Sequence, residues 1–414
     1  MLRIWSVILA FLVSVFTSFV VAQNPKLPAN VEWSKKWFPN NNSRIKGAVM
    51  VDEKGTLLVV GQHFTERDSI NAASTLAKIS PSGEMIAVKP IGRTGRYKGD
   101  FKKKNESLYS HEDRLVQIFK TRDNRIFAFG YKTFPIYKRK LWIVELNENQ
   151  DIIQDTTYMD LPVSDIGKMA AFDSPNGWYL ISRQYYEERE LSRYRIAIFE
   201  FNNQLECIDS TSKVVADVNG SKLCMMWMNS VTVLDEDLIF TGQSAFTHDT
   251  LDEDYAKKAG YLMKFNMKTK ETSVLIATEP NTEPRFTASN GSELCILYTQ
   301  HNSVSDTKTN PKHLVVCYDS TFKELWRDAQ QLSKFDKPDY LVLNNGNWHA
   351  LGTTYDSPGT VFYEIIYDSK GAMMKKKIST PGTEREAVME IDGPENSKYR
   401  LYIDNAWRID KQKN

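Results

Sequence analysis

The side chains best suited to moving protons are few and far apart. His63, His111 and His301 stand in polar stretches, with Tyr355 as a fourth candidate. An imidazole or phenol of this kind would serve a hydrolase or lyase as general acid or base. His111-Glu112-Asp113 sets an imidazole beside two carboxylates. Neighbours in an extended chain point to opposite sides, so the run is no ready triad. No G-x-S-x-G, H-E-x-x-H or G-x-x-x-x-G-K-[ST] occurs, so the serine-nucleophile, zinc-protease and P-loop chemistries lack their sequence signatures.

Other polar side chains recur by position. Gln62, Gln243 and Gln300 each follow a short apolar run, with Thr353 and Asn405 at the matching place and Arg183-Gln184 departing from it. Amides both donate and accept, so these residues are candidates for a polar ring around a ligand, or simply strand ends bonded to loop backbone. Basic residues precede a second set of apolar runs: Arg44, Lys46, Arg114, Lys168, Lys222, Arg285, Lys337 and Arg385. Converging, they would seat a carboxylate or phosphate. Asp113, Asp339, Glu384 and Glu386 are interspersed with them, and ordinary surface pairing is the plainer reading.

The run from His248 to Asp254 supplies Asp249, Asp252 and Asp254 as oxygen donors that calcium would use, without the Asx-Gly spacing of a known calcium loop. A solvated charged loop is the simpler account, and no other metal or cofactor is indicated. Tyr185-Tyr186-Glu187-Glu188-Arg189 has the aromatic and arginine content of an interaction hot spot. It reads as a loop that contacts a partner.

The elements that position these residues repeat. A short apolar run ending in a small or polar residue occurs seven times, at intervals of roughly 50 to 70 residues. The copies include Leu57-Leu58-Val59-Val60-Gly61, Ile126-Phe127-Ala128-Phe129-Gly130, Leu238-Ile239-Phe240-Thr241-Gly242 and Arg400-Leu401-Tyr402-Ile403-Asp404. After each of the first six comes a strand ending in an apolar residue and then Ser, Asn or Asp: Ile79-Ser80, Leu146-Asn147, Phe201-Asn202, Phe265-Asn266, Tyr318-Asp319 and Tyr367-Asp368. Those polar side chains bond backbone two residues on, which predicts a tight turn into another strand. An apolar strand also precedes each first run, such as Leu115-Val116-Gln117-Ile118-Phe119. The unit is therefore four antiparallel strands, A to D.

Four-stranded units at this period resemble the blades of a β-propeller, and the resemblance spans residues 31–408. The C–D hairpin is similar to that of secreted quinoprotein-like propellers, a likeness that would imply a bound quinone. The Trp-Asp of WD40 and the paired Gly of kelch repeats are absent. Seven blades are expected, with six plus a C-terminal extension as the alternative. The orphan strand Val31-Glu32-Trp33-Ser34-Lys35-Lys36-Trp37 would close the last blade and remove open edges. The architecture places B–C and D–A connections on one face, where the B–C loops read as the long polar ones. Lys375-Lys376-Lys377 falls on a D strand, where lysines discourage edge pairing.

Composition sets the surroundings. Of 414 residues, 41% are hydrophobic and 25% charged, enough for a core and too polar for a multi-span membrane protein. The net charge is +1, so no global field draws the chain to nucleic acid. Arg3 followed by the apolar stretch Ile4 to Val21 reads as a signal peptide over residues 1–22, with a linker over 23–30. A run of about 18 apolar residues would also just span a bilayer, but the exit at Ala22 with Pro25 and Pro28 beyond favours cleavage. The expectation is a secreted or periplasmic monomer, off the membrane after cleavage, with one domain over 31–408 and a tail over 409–414. Its expected role is non-catalytic binding of a protein or glycan, with a propeller hydrolase or lyase as the alternative. Export would permit disulfides, and Cys207–Cys224 and Cys295–Cys317 are plausible pairs on spacing.

Overall fold

The computed structural model describes residues 31–38, 44–64, 72–92, 94–96, 110–134, 138–162, 169–188, 191–213, 223–246, 258–277, 282–300, 312–330, 336–356, 359–378, 386–403 and 407–413. The expected signal peptide and linker lie outside them.

After β1 (Val31–Trp37) the chain forms six blades in order. Blade one is β2 (Arg44–Met50), β3 (Leu57–Phe64), β4 (Ala72–Ile79) and β5 (Met85–Ile91). Blade two begins with a short added strand, β6 (Thr94–Arg96). Its main strands are β7 (Ser110–Lys120), β8 (Ile126–Phe134), β9 (Lys138–Leu146) and β10 (Ile152–Pro162). Blade three is β11 (Ala170–Ser174), β12 (Gly177–Glu188), β13 (Leu191–Phe201) and β14 (Cys207–Lys213). Blade four is β15 (Leu223–Leu234), β16 (Asp237–Phe246), β17 (Lys258–Asn266) and β18 (Thr272–Ala277). Blade five is β19 (Thr282–Ser289), β20 (Glu293–Gln300), β21 (Lys312–Asp319) and β22 (Glu324–Gln330). Blade six is β23 (Asp336–Asn344), β24 (Asn347–Asp356), β25 (Gly359–Tyr367) and β26 (Met373–Ile378). Blade seven takes β27 (Glu386–Asp392), β28 (Lys398–Ile403) and β29 (Trp407–Gln412), and β1 supplies its fourth strand.

This is a seven-bladed β-propeller. The N-terminal strand closes the ring as expected, with Trp37 opposite Trp407 and Lys35 opposite Ile409. One boundary is corrected. Residues 409–412, expected as tail, complete the C strand of blade seven, because that strand starts only at Trp407 and needs them to reach β1.

Each B strand is apolar on both faces because a neighbouring blade covers each side. Leu57 to Val60 of β3 are fully buried, as are Phe127, Ala128 and Phe129 of β8. Between blades two and three, Trp178 stacks on Phe127 and Phe201 with ring centroids 5.1 and 4.9 Å away. The outer D strands carry the exposed apolar residues, among them Ile86, Ile153 and Met374, and Lys375-Lys376-Lys377 falls on β26.

The six Ser/Asn/Asp turns form as the sequence implies. Asn147 Oδ1 accepts from the amides of Asn149 and Asp151 at 2.9 and 2.8 Å, and Asp368 Oδ1 accepts from Lys370 and Ala372 at 2.8 Å each. The residue that reverses the chain has positive φ: Gly83, Gln150, Leu205, Lys270, Phe322 and Gly371. An aromatic residue from the preceding D strand clamps several of these turns. Trp33 Nε1 donates to Pro81 O at 2.9 Å, and the Tyr158 hydroxyl donates to Leu205 O. A Cβ at Gly371 would run into the Trp326 ring.

Cys295 and Cys317 stand directly opposite on β20 and β21 and form a disulfide. Cys207 is free, so the second pair expected on spacing, Cys207–Cys224, is not made. Cys207 lies instead at the start of β14, its thiol directed to Asp209 O at 3.4 Å.

Candidate functional site at the channel mouth

The A strands line the central channel, and a β-bulge interrupts nearly all of them at one level. The register slips at Lys46, Val116, Asn229, Arg285, Asp339 and Val388, one in each blade except the third. A bulge leaves one residue without a cross-strand partner and redirects it. The B-strand residue facing the slip explains the small residue that ends the repeated apolar run. Gly61, Gly130, Gly242 and Gly352 all stand there. A Cβ at Gly130 would strike Arg114 O, and one at Gly61 would crowd Arg44 O and the Trp407 ring. Glycine at this place admits the bulged backbone.

The bulges differ in chemistry around the ring. On blades four and five the protein satisfies its own side chains. Asn229 Nδ2 donates to Pro284 O at 2.7 Å, and Arg285 Nη1 pairs with Glu283 Oε1 at 2.8 Å while its Nε donates to Thr299 Oγ1 at 3.4 Å. Arg285 is thereby neutralised by Glu283, an acid the sequence reading did not single out. On blade one the arrangement is the reverse. Lys46 is half-buried beside the guanidiniums of Arg44 and Arg114. Burial, then these two like charges, push its pKa below the ordinary lysine value. Among the described residues, neither Arg44 nor Lys46 has a carboxylate partner. Arg44 stands opposite Gln62, which is buried and whose Nε2 meets no acceptor.

The remaining sequence candidates are scattered. His63 lies on β3 opposite Ala73, His111 on β7 opposite Gly95, and Tyr355 on β24 opposite Thr360, so no strand pair joins any two of them. His301, Arg189 and the acidic loop with Asp249, Asp252 and Asp254 fall outside the described residues. Gln300 ends β20 as expected, whereas Gln243 lies within β16, which runs on to Phe246. Among the described residues, no group of three or more His, Cys, Asp or Glu is placed to hold a metal.

The segment expected as a loop at Tyr185-Tyr186 is strand. β12 and β13 pair from Trp178↔Phe201 out to Glu188↔Leu191, with Tyr185 opposite Tyr194 and Tyr186 opposite Arg193. Aromatic residues favour the pleated surface, and facing aromatics stabilise a pair of strands. The A-strand pairing stops at Ile181 and the D-strand pairing at Ile196, so a two-stranded ribbon continues beyond the blade. Its five pairs from Gln184↔Arg195 to Glu188↔Leu191 extend it by about 16 Å. Blades two, six and seven also connect B to C over short spans, from Phe134 to Lys138, Asp356 to Gly359 and Ile403 to Trp407. Long B–C connections are therefore confined to blades one, four and five.

The opposite face carries a cluster that sequence reading missed. Lys270, in the C–D turn of blade four, bonds Glu200 Oε2 of blade three at 2.5 Å and also the Tyr179 hydroxyl, which donates in turn to Met267 O at 3.1 Å. Burial pushes the Glu200 carboxyl up, but its bonds to Lys270, Ser174 and Asn176 outweigh this and hold it below the usual carboxylate range. Burial raises the Tyr179 phenol, which leaves it protonated and unsuited to act as a base. The cluster ties two blades together. No sequence signal marked it, because its members are 70 and 91 residues apart.

No protein-family model matches the chain, and no curated protein sequence does. Solved structures do. Drosophila Semaphorin 2a aligns with a TM-score of 0.53 at 10% identity, covering 93% of this chain and 77% of that one. The AfRom2 CNH domain aligns at 0.48 with 11% identity over 93% and 98% of the two chains. The propeller domain of the Trilobed protease from Pyrococcus furiosus aligns at 0.48 with 9% identity over 92% and 94%. The likeness is one of fold. At these identities it carries no activity from one chain to another.

Proposed function

We propose that this protein is an exported, non-catalytic binding module that engages a protein or a glycan through the B–C face of the propeller, with the blade-three ribbon as its main contact. The observation that carries the reading is that ribbon, where three tyrosines and two arginines extend past the four-stranded sheet in paired register. Tyrosine and arginine dominate interaction hot spots because they combine large contact area with directed hydrogen bonds. A two-stranded ribbon is marginal alone in water, and a partner that covers it would supply the missing burial. Export is supported by the apolar N-terminal stretch and by the Cys295–Cys317 disulfide, which suits an oxidising compartment.

The test compares wild-type residues 23–414 with Tyr185→Ala/Tyr186→Ala. Both are run on a glycan array and in affinity capture from the extracellular fraction, and each hit is then measured by calorimetry. A loss of affinity of about 2 kcal/mol or more for the identified ligand is expected. Equal affinity would overturn the ribbon assignment. Turnover of an ester, peptide or uronate substrate that disappears in His63→Ala would replace this reading with a propeller enzyme.

A further inference from the structure

We infer that the outer edge of β13 beyond Ile196 receives an extended acidic segment of a partner protein, which adds as a third strand to the blade-three ribbon with its carboxylates opposite Arg193 and Arg195. The inference rests on the binding reading and narrows its ligand to a protein. Three observations carry it.

The first is an open edge. β14 leaves β13 at Ile196, which faces Lys213, and among the described residues no strand pairs with residues 191–195 on that side. β12 holds the other side out to Glu188↔Leu191. The edge therefore offers backbone N–H and C=O groups to an incoming strand. Such a strand gains affinity from its main-chain bonds and selectivity from its alternate side chains. It would also turn a marginal two-stranded ribbon into a three-stranded sheet.

The second is the alternation of charge along that edge. Lower in β13, Ala197 and Phe199 pack against blade two, and Ile196 and Ile198 against blade four. The strand period of two carries this outward, which places Arg193 and Arg195 on the blade-two face and Tyr194 on the other. The two arginine positions stand about 7 Å apart along the strand, the spacing of every second residue in any strand laid beside it. Acidic residues at alternate positions would each meet one guanidinium, a group that donates to both carboxylate oxygens at once. On β12 the residues directly opposite the arginines are Tyr186 and Gln184, while Glu188 faces Leu191.

The third is contrast. The comparable outer edge on blade six, residues 359–362 of β25 beyond Tyr363↔Ile378, carries no charged residue, so a hairpin edge of this fold does not require arginine. On blade three the arginines select. Two copies joined edge to edge around Tyr194 would set Arg193 against Arg195, and like charges facing across strands oppose pairing. The other edge of the ribbon belongs to β12, which ends in Glu187 and Glu188 and repels an acidic segment. An acidic strand therefore fits the β13 edge.

The experiment measures fluorescence anisotropy of short labelled peptides with residues 23–414. The probes alternate threonine with glutamate, with glutamine or with lysine, and a fourth is the glutamate peptide with alternate backbone amides methylated. Wild type should bind the glutamate peptide about tenfold tighter than the glutamine one. Methylation should abolish binding, because it removes the N–H donors that strand addition uses. Arg193→Gln/Arg195→Gln should lose the preference for glutamate, and Arg193→Glu/Arg195→Glu should prefer the lysine peptide. Both positions lie past the four-stranded sheet, so these variants should unfold at the wild-type midpoint, and the wild-type comparison among peptides stands without them. No binding of any probe, equal binding of the glutamate and glutamine peptides, binding unaffected by methylation, or an unchanged preference in the variants overturns the inference. Partner capture that is lost in Tyr185→Ala/Tyr186→Ala but shows no acidic preference removes this inference alone. Equal capture by those variants removes the ribbon reading beneath it as well.

Discussion

The hydroxyl of Tyr399 donates to the carbonyl oxygen of Gly55 at 2.9 Å, joining residues 344 positions apart. Beside it, Trp407 Nε1 donates to Gln62 O at 3.1 Å. Both bonds cross from the last blade to the first, so they exist only when the ring is closed. Burial first, then Glu32 and Asp52, push the Tyr399 phenol up to about 12, which keeps the donor proton in place at neutral pH.

Tyr399→Phe should therefore cost about 1 kcal/mol of stability, the net value of one such hydrogen bond. Trp33→Ala, which removes a buried indole and its bond to Pro81, should cost about 3–5 kcal/mol. Chemical denaturation of the two variants checks both. A smaller loss in Trp33→Ala than in Tyr399→Phe would show that β1 contributes little to closure.

His313 gives the fold a pH dependence. It is fully buried, with Nδ1 2.8 Å from the Tyr363 hydroxyl. Burial, then the Lys376 charge, lower its pKa from 6.5 to about 3. The unfolded chain takes up a proton in that interval and the native protein does not, so this contribution to stability is full above about 6.5 and falls as pH drops toward about 3. Denaturation midpoints measured across the interval should show that slope, and His313→Gln should flatten it. An unchanged slope in the variant would assign it to other groups.

The Cys295–Cys317 disulfide closes a loop with a sequence separation of 22. Reduction should lower stability by about 3 kcal/mol on the chain-entropy account. Peptide mapping without reductant should yield the two cysteines in one linked fragment. The double Cys→Ala variant should then show no further loss with reductant.

Gly83 and Gly346 separate two costs of a side chain. Both have positive φ, 80° and 74°, but a Cβ at Gly83 would lie 2.8 Å from the Trp33 ring while one at Gly346 meets nothing within 4 Å. Gly346→Ala should lose about 1–2 kcal/mol from backbone strain alone. Gly83→Ala should lose more, and the excess measures the clamp that β1 places on blade one. Equal losses would mean Trp33 shifts freely.

The repeat made the fold legible because each signal has a local cause. A Ser, Asn or Asp at the turn acts on backbone within four residues, so Asn147 and Asp368 announce themselves in sequence. The seventh blade was readable for the same reason, through its apolar run and the orphan strand at Val31–Trp37. Gly61 and Gly130 were visible as run-ending residues, but their cause, a bulge on the strand opposite, depends on register and stayed hidden. The site was less legible still. Arg44, Lys46 and Arg285 look alike in sequence, yet Arg285 meets Glu283 of its own strand while Arg44 and Lys46 meet no carboxylate among the described residues. Tyr185 and Tyr186 were picked out by composition, yet the polar residues around them read as a loop where the paired backbone continues as strand.

The closure by β1 has a consequence for biosynthesis. The strand made first must wait for the strand made last, since β1 pairs only with β29. Throughout translation six blades can assemble in sequence while the first residues of the domain hold an unpaired edge. Loop-closure entropy rises only slowly with length, so the wait costs little thermodynamically. Kinetically it makes the final joining the longest-range event in the chain. A product truncated even a few residues early would leave both edges open to neighbouring chains, so aggregation, rather than a partly working ring, is the fate expected of an incomplete copy.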